Sequence, residues 1–109
     1  MSRPRVRYAT IFVFPPPARG KMPVVSTSPE RLTVRPGDYV EWTIVNASGA
    51  GGKVSVGWEK RNPLKGESTS PFERRTRDVV RVKAEPGIYK YNVLIDGKVV
   101  FDPELEIMS

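Results

Sequence analysis

The chain has 109 residues, 39% of them hydrophobic and 28% charged, with 18 basic and 12 acidic side chains and a formal charge of +6. That length fits one domain spanning residues 1–109, and the balance fits a small core under a solvated surface, not a disordered tail. Cysteine and histidine are both missing, which removes disulfides, thiol nucleophiles, Ser-His and Cys-His catalytic pairs, the usual zinc sites and blue copper.

Residues 5–14 alternate, with Val6, Tyr8, Thr10, Phe12 and Phe14 on one parity and Arg5, Arg7, Ala9, Ile11 and Val13 on the other. The spacing predicts a first strand. It stops at Pro15-Pro16-Pro17, which cannot donate to a ladder. The apolar stretch at 11–14 is too short for a signal h-region, so the expected location is cytoplasmic. No apolar run approaches the ~20 residues of a membrane helix. Residues 18–22 read as an exposed loop.

Leu32 and Val34 mark a short second strand, and Pro36-Gly37-Asp38 a turn. Residues 39–46 form the next strand, with Val40, Trp42 and Ile44 on one face and Tyr39, Glu41, Thr43 and Val45 on the other. Trp42 belongs to the core because its neighbours on that face are Val and Ile. Residues 47–52 hold three glycines but lack the ending and the following helix of a phosphate loop. Lys53 to Trp58 is a strand with Val54, Val56 and Trp58 aligned.

Residues 59–77 form the longest irregular stretch, with Pro71-Phe72 expected to anchor its middle. Val80 and Val82 predict the next strand. Tyr89, Tyr91, Val93 and Ile95 alternate with Lys90, Asn92 and Leu94 in the clearest strand of all, and Asp96-Gly97 signals a hairpin. Either Tyr89 or Tyr91 is expected to bond the backbone across a corner. Val99 to Phe101 returns, Asp102-Pro103 breaks the ladder, and residues 105–108 close the chain. Seven or eight strands with turn chemistry between them predict an all-β, antiparallel Greek-key β-sandwich.

Two segments carry a family resemblance. Leu32-Thr33-Val34-Arg35-Pro36-Gly37-Asp38-Tyr39-Val40-Glu41-Trp42, ending at Asn46, resembles the V-x-x-G-D-x-V-x-W-x-x-x-N segment of cupredoxins. Gly87-Ile88-Tyr89-Lys90-Tyr91-Asn92-Val93 resembles their G-x-Y-x-Y-x-C strand. The resemblance implies a cupredoxin-like (or more broadly immunoglobulin-like) sandwich. It does not imply the family's electron transfer, because Val93 stands where the cysteine ligand would be and the chain has no imidazole. Over 89–103 a second, local similarity runs to glycogen-binding modules, whose pattern is Y-x-Y-x-F-x-V-D-G-x-W-x-x-D-P. Val99 replaces the tryptophan that stacks on sugar.

Function is sought at the surface. The carboxylates Asp96, Asp102, Glu104 and Glu106 read as turn and wet-face residues, and no general base of natural pKa near neutrality exists. No catalytic residue, cofactor or metal is therefore expected, and the chain is read as a non-enzyme. Charge is uneven: residues 1–40 carry +5, 41–83 carry +4 and 84–109 carry −3. Such a balance favours acidic partners. The expected interaction surface comprises Arg5, Arg7, Lys53, Lys60, Arg61, Lys65, Arg74, Arg75 and Arg77. The expected partner is an acidic protein or a second copy. An α-glucan is the first alternative, and a nucleic acid bound through the basic patches is the second. Exposed aromatics for base stacking reduce to Tyr39 and Trp58.

Overall fold

The computed structural model describes residues 3–47, 53–66 and 70–108, and within them nine strands form two sheets. In chain order they are β1 Val6–Phe14, β2 Val24–Ser28, β3 Arg31–Val34, β4 Tyr39–Asn46, β5 Val54–Trp58, β6 Arg75–Val79, β7 Gly87–Ile95, β8 Lys98–Phe101 and β9 Glu104–Ile107. The first sheet runs β2-β1-β4-β6. The second runs β3-β9-β7-β5, with β8 sharing an edge of β7 with β9.

The sandwich matches the expected fold class, with one correction to its pairing: the sheets are mixed, not wholly antiparallel. β1 and β4 are parallel, as are β3 and β9. The reason is connectivity. After β2 the chain crosses to the second sheet as β3 before returning as β4, and a crossover of that length permits a parallel neighbour.

The alternation in the sequence becomes the two faces of each sheet. Ala9, Ile11, Val13, Val40 and Trp42 of the first sheet pack on Leu32, Val34, Val56, Tyr91, Val93, Leu105 and Ile107 of the second, all nearly sealed from water. Trp42 is wholly buried, as its neighbours predicted, and its ring meets Trp58 and Tyr91 edge-on. Each such aliphatic side chain contributes roughly 1.5–3 kcal/mol on leaving water.

Turn chemistry sets the ends. Gly37 adopts φ 90° in the β3–β4 turn, where the Asp38 N–H donates to the Arg35 carbonyl at 3.0 Å. Asp96 and Gly97 take φ 49° and 81° in the β7–β8 hairpin, both in the left-handed region that Asp-Gly tolerates. The Tyr89 hydroxyl donates to the Glu85 carbonyl at 2.6 Å, which makes Tyr89 the corner residue and leaves Tyr91 to the core.

Three sequence expectations need correction. β2 is an additional strand, hydrogen-bonded along β1 from Thr10↔Ser28 to Phe14↔Val24. The strand expected around Val80 and Val82 lies earlier, at β6, where it pairs with β4 through Tyr39↔Val79 and Thr43↔Arg75. Val80 is buried in an isolated bridge to Leu64, and Val82 is exposed in a turn. Trp58, named with Tyr39 as a candidate exposed aromatic, is half-buried against the core, in line with its alignment with Val54 and Val56. Phe72 anchors the long connection as expected, half-buried and bridged to Val54.

Candidate functional site

The outer face of the first sheet is the least ordinary surface of the molecule. Its parity puts Tyr8, Thr10, Phe12 and Phe14 of β1 beside Tyr39, Glu41, Thr43 and Val45 of β4. Val24, Ser26 and Ser28 of β2 flank them on one side, and Arg75, Arg77 and Val79 of β6 on the other. Tyr8 is 58% exposed, Val24 48%, Val45 46%, Phe14 43% and Tyr39 40%. The Phe12 and Phe14 rings stack at 6.2 Å between centroids. Scattered exposed apolar side chains are normal; here they gather in two groups on one face, Tyr8 with Tyr39 near the start of β1 and Phe14, Val24 and Val45 near its end, with the Thr10–Thr43 pair between them.

Charge on this face is sparse and mostly positive. Glu41 is its one acid among the described residues, and it is paired with Arg77 at 2.9 Å, leaving Arg75 uncompensated. The β1–β2 connection, which leaves the face at Phe14 and returns at Val24, adds Arg19 and Lys21 and no acid.

The expected basic surface is not one patch. Arg5 and Arg7 line a cleft of about 220 Å³ with Arg3, Arg35 and Asp38. Lys60 and Arg61 line another of about 410 Å³ with Glu59, Ile88, Tyr89 and Lys90. Both clefts open at the end of the sandwich where β1, β4 and β7 begin. Arg61 is paired with Glu85 there, in an exposed bridge of 3.4 Å that contributes little. Arg75 and Arg77 lie on the outer face just described. Arg74 sits before β6, where its carbonyl accepts from Ile44 N–H at 2.7 Å. Lys53 and Lys65 are exposed, at the start of β5 and in the long connection. The glycine loop at 48–52 and residues 67–69 lie outside the described residues.

The carboxylates have structural work. Asp38 accepts from the Arg5 and Arg35 backbone N–H groups at 3.1 and 3.0 Å, Asp78 from those of Gly66 and Val79, and Asp96 from that of Lys53. Glu104 is paired with Arg31 at 2.8 Å, and Glu106 accepts from the Thr33 hydroxyl. The Arg31 guanidinium pKa is raised by its hydrogen bond and charge contact with Glu104. In the core, burial pushes the Tyr91 phenol up to about 12, against the opposing effect of the Trp42 indole, which donates to its oxygen at 3.4 Å.

Sequence reasoning missed two contributors. Leu64 is fully buried beneath the 59–74 connection, with no alternating neighbours to signal it. Arg35 sits in the turn segment, and only the fold brings it to Arg3, Arg5 and Arg7.

The hairpin that resembles glycogen-binding modules presents Val99, 58% exposed and aliphatic, at the position of their stacking tryptophan. The donor chemistry of a copper site does not fit either. Val93 occupies the position resembling the cysteine ligand, fully buried and paired with Val56 and Phe101. Among the described residues no group of three Asp, Glu, His or Cys side chains could hold a metal ion. No helix of the described residues is long and apolar enough to cross a membrane.

Neither a family model nor a curated protein sequence matches the chain. Solved structures do. A purple cupredoxin from Nitrosopumilus maritimus aligns with a TM-score of 0.51 at 16% identity, over 91% of this chain and 98% of that one. A reduced rusticyanin aligns at 0.50 and 14% identity, over 98% and 82%. The multicopper oxidase mgLAC aligns at 0.50 and 13% identity, over 96% of this chain but 39% of the oxidase. At such identities the likeness shows architecture alone, and it agrees with the segments around Gly37-Asp38 and Tyr89–Val93: the chain has the cupredoxin-like fold, built on a sequence with no cysteine or histidine to ligate copper.

Proposed function

We propose that the chain is a non-catalytic interaction module that docks a protein partner on the outer face of its first sheet. The observation that carries this reading is that Tyr8, Phe14, Val24, Tyr39 and Val45, each at least 40% exposed, share one face of three adjacent strands. Aromatic anchors of this kind dominate the centre of protein interfaces, with polar side chains around them. The rim here is positive, from Arg75 on one side and Arg19 and Lys21 at one end, so the complementary partner presents an apolar patch rimmed by acids. A second copy would bring the same positive rim and the same +6 charge, which disfavours self-association at low salt. The lack of any histidine, and the structural engagement of Asp96, Glu104 and Glu106, support a non-enzymatic role. A cytoplasmic setting is part of the proposal and is checked by fractionation of the source cell.

The test is a pull-down from the source cell at low and high salt, followed by titration of the recovered protein in purified form. The expected result is saturable binding that weakens with salt and falls at least about tenfold for the Tyr8→Ser/Phe14→Ser double variant. Binding unchanged in that variant would overturn the reading. So would salt-insensitive retention on an α-glucan gel, a steep salt slope with unrelated oligonucleotides, or a concentration-dependent homodimer in sedimentation.

A further inference from the structure

We infer that the cleft formed by Arg3, Arg5, Arg7 and Arg35 is a binding site for a small phosphate-bearing anion, separate from the apolar face. Four arginines line about 220 Å³ at the end of the sandwich. That is room enough for one phosphate group. None of the four arginines forms an ion pair with a described residue. The one carboxylate in the cleft, Asp38, is directed elsewhere: one oxygen accepts from the Arg5 N–H and the other from the Arg35 N–H. Those two bonds brace the start of β1 against the β3–β4 turn, so the backbones carrying Arg5 and Arg35 are held together before any ligand arrives.

Arg7 gives the second observation. It has the inward parity of Ala9 and Ile11 and lies half-buried over the end of the core. Its Nε is shut off from solvent and has no hydrogen-bond partner. A buried donor on a charged group without an acceptor is uncommon in folded proteins, and an oxyanion is the acceptor a guanidinium takes through two parallel N–H bonds. Phosphate carries more charge than a single carboxylate and offers enough oxygens for several guanidinium groups at once. Four arginines against one engaged carboxylate favour it over a monocarboxylate.

The experiment is a titration of the full chain with inorganic phosphate, followed by calorimetry and by the backbone amide NMR signals of residues 5–7 and 35–38. Sodium chloride and sodium acetate at matched ionic strength are the comparison arms. Saturable binding by phosphate, with those amides shifting and neither control saturating, is the expected result. Arg35→Gln, an exposed position, weakens binding at least about tenfold, as does Arg7→Gln if that variant folds. Arg61→Gln, in the other cleft, leaves it unchanged. Linear, non-saturating shifts, equal shifts with chloride, or equal loss with Arg61→Gln would overturn the site. None of these results depends on whether a protein docks on the sheet face.

Discussion

Tyr91 makes the fold testable by pH. Its ring is wholly buried between Trp42 and Trp58, and burial raises its phenol to about 12 from an ordinary value of 10.0. Between these two values the unfolded chain loses the phenolic proton while the folded chain keeps it. The unfolded state then binds fewer protons, so stability falls as pH rises. Below pH 10 the contribution is constant. At pH 11 the loss is about 1.4 kcal/mol, and beyond pH 12 it levels at roughly 3 kcal/mol. Against a total of about 5–15 kcal/mol for a domain of this size, that is measurable. Urea unfolding at pH 8, 10 and 11 reads it directly, with Tyr91→Phe as the comparison. The variant lacks the acceptor of the Trp42 indole and is about 1 kcal/mol less stable below pH 10. It should show a shallower alkaline decline by about 1.4 kcal/mol at pH 11, the rest being due to lysines and the other tyrosines. Equal declines in the two proteins would refute the assignment of a strongly buried neutral phenol.

Leu64→Ala removes a fully buried side chain from beneath the long connection and should cost about 2–5 kcal/mol, with faster proteolytic cleavage in 59–74 than elsewhere. Asp38→Ala leaves the Arg5 and Arg35 N–H groups without their acceptor; a loss of roughly 3 kcal/mol in chemical denaturation is expected, with phosphate binding lowered as well. Gly37→Ala, at φ 90° with open space around the added Cβ, should cost about 1 kcal/mol from backbone conformation alone. Incubation with Cu(II) and dialysis should leave well below one equivalent of metal by elemental analysis, because the position resembling the thiolate ligand is Val93 and no imidazole is present.

Where a strand alternates strictly and one face is apolar, the sequence reveals both its existence and its inner side. Val40 and Trp42, Tyr91 and Val93, and Leu105 and Ile107 all lie inward as the period of two demands. Turns with a required left-handed residue were equally legible, at Gly37 and at Asp96-Gly97. β6 was not, because Arg75-Thr76-Arg77-Asp78-Val79 has no apolar face to show; its inward residues are Thr76 and Asp78, and Asp78 is satisfied by the Gly66 and Val79 N–H groups. In β1 the pattern is apolar on both parities from Ile11 onward, so it does not say whether Phe12 and Phe14 or Ile11 and Val13 are buried. Only pairing with β4 decides, and it leaves the phenylalanines outside. The outer face therefore could not be read from the chain alone, although its residues could. The arginine cleft was half legible: Arg3, Arg5 and Arg7 alternate in sequence, whereas Arg35 joins them only through the sandwich.

The same geometry explains how this scaffold stands without a metal. A bound ion contributes folding free energy by holding its ligands, and a chain that lacks it must hold that region by packing. Here Val93 lies in a continuous apolar layer with Val54, Val56 and Ile95, and the Asp96-Gly97 hairpin is tied back by the Lys53 N–H bond to Asp96. Among the described residues, the surroundings of Val93 are thus closed and apolar. What the fold leaves open lies elsewhere. One sheet presents aromatic rings to solvent on two adjacent strands, and the end where β1, β4 and β7 begin gathers Arg3, Arg5, Arg7 and Arg35 in a cleft whose carboxylate, Asp38, is occupied by backbone. The first is suited to a partner's apolar patch and the second to an anion, and the two can be disabled separately, by Tyr8→Ser/Phe14→Ser and by Arg35→Gln. A variant of either kind that abolished both activities while keeping wild-type stability would show that they form a single site, contrary to the separation the topology imposes.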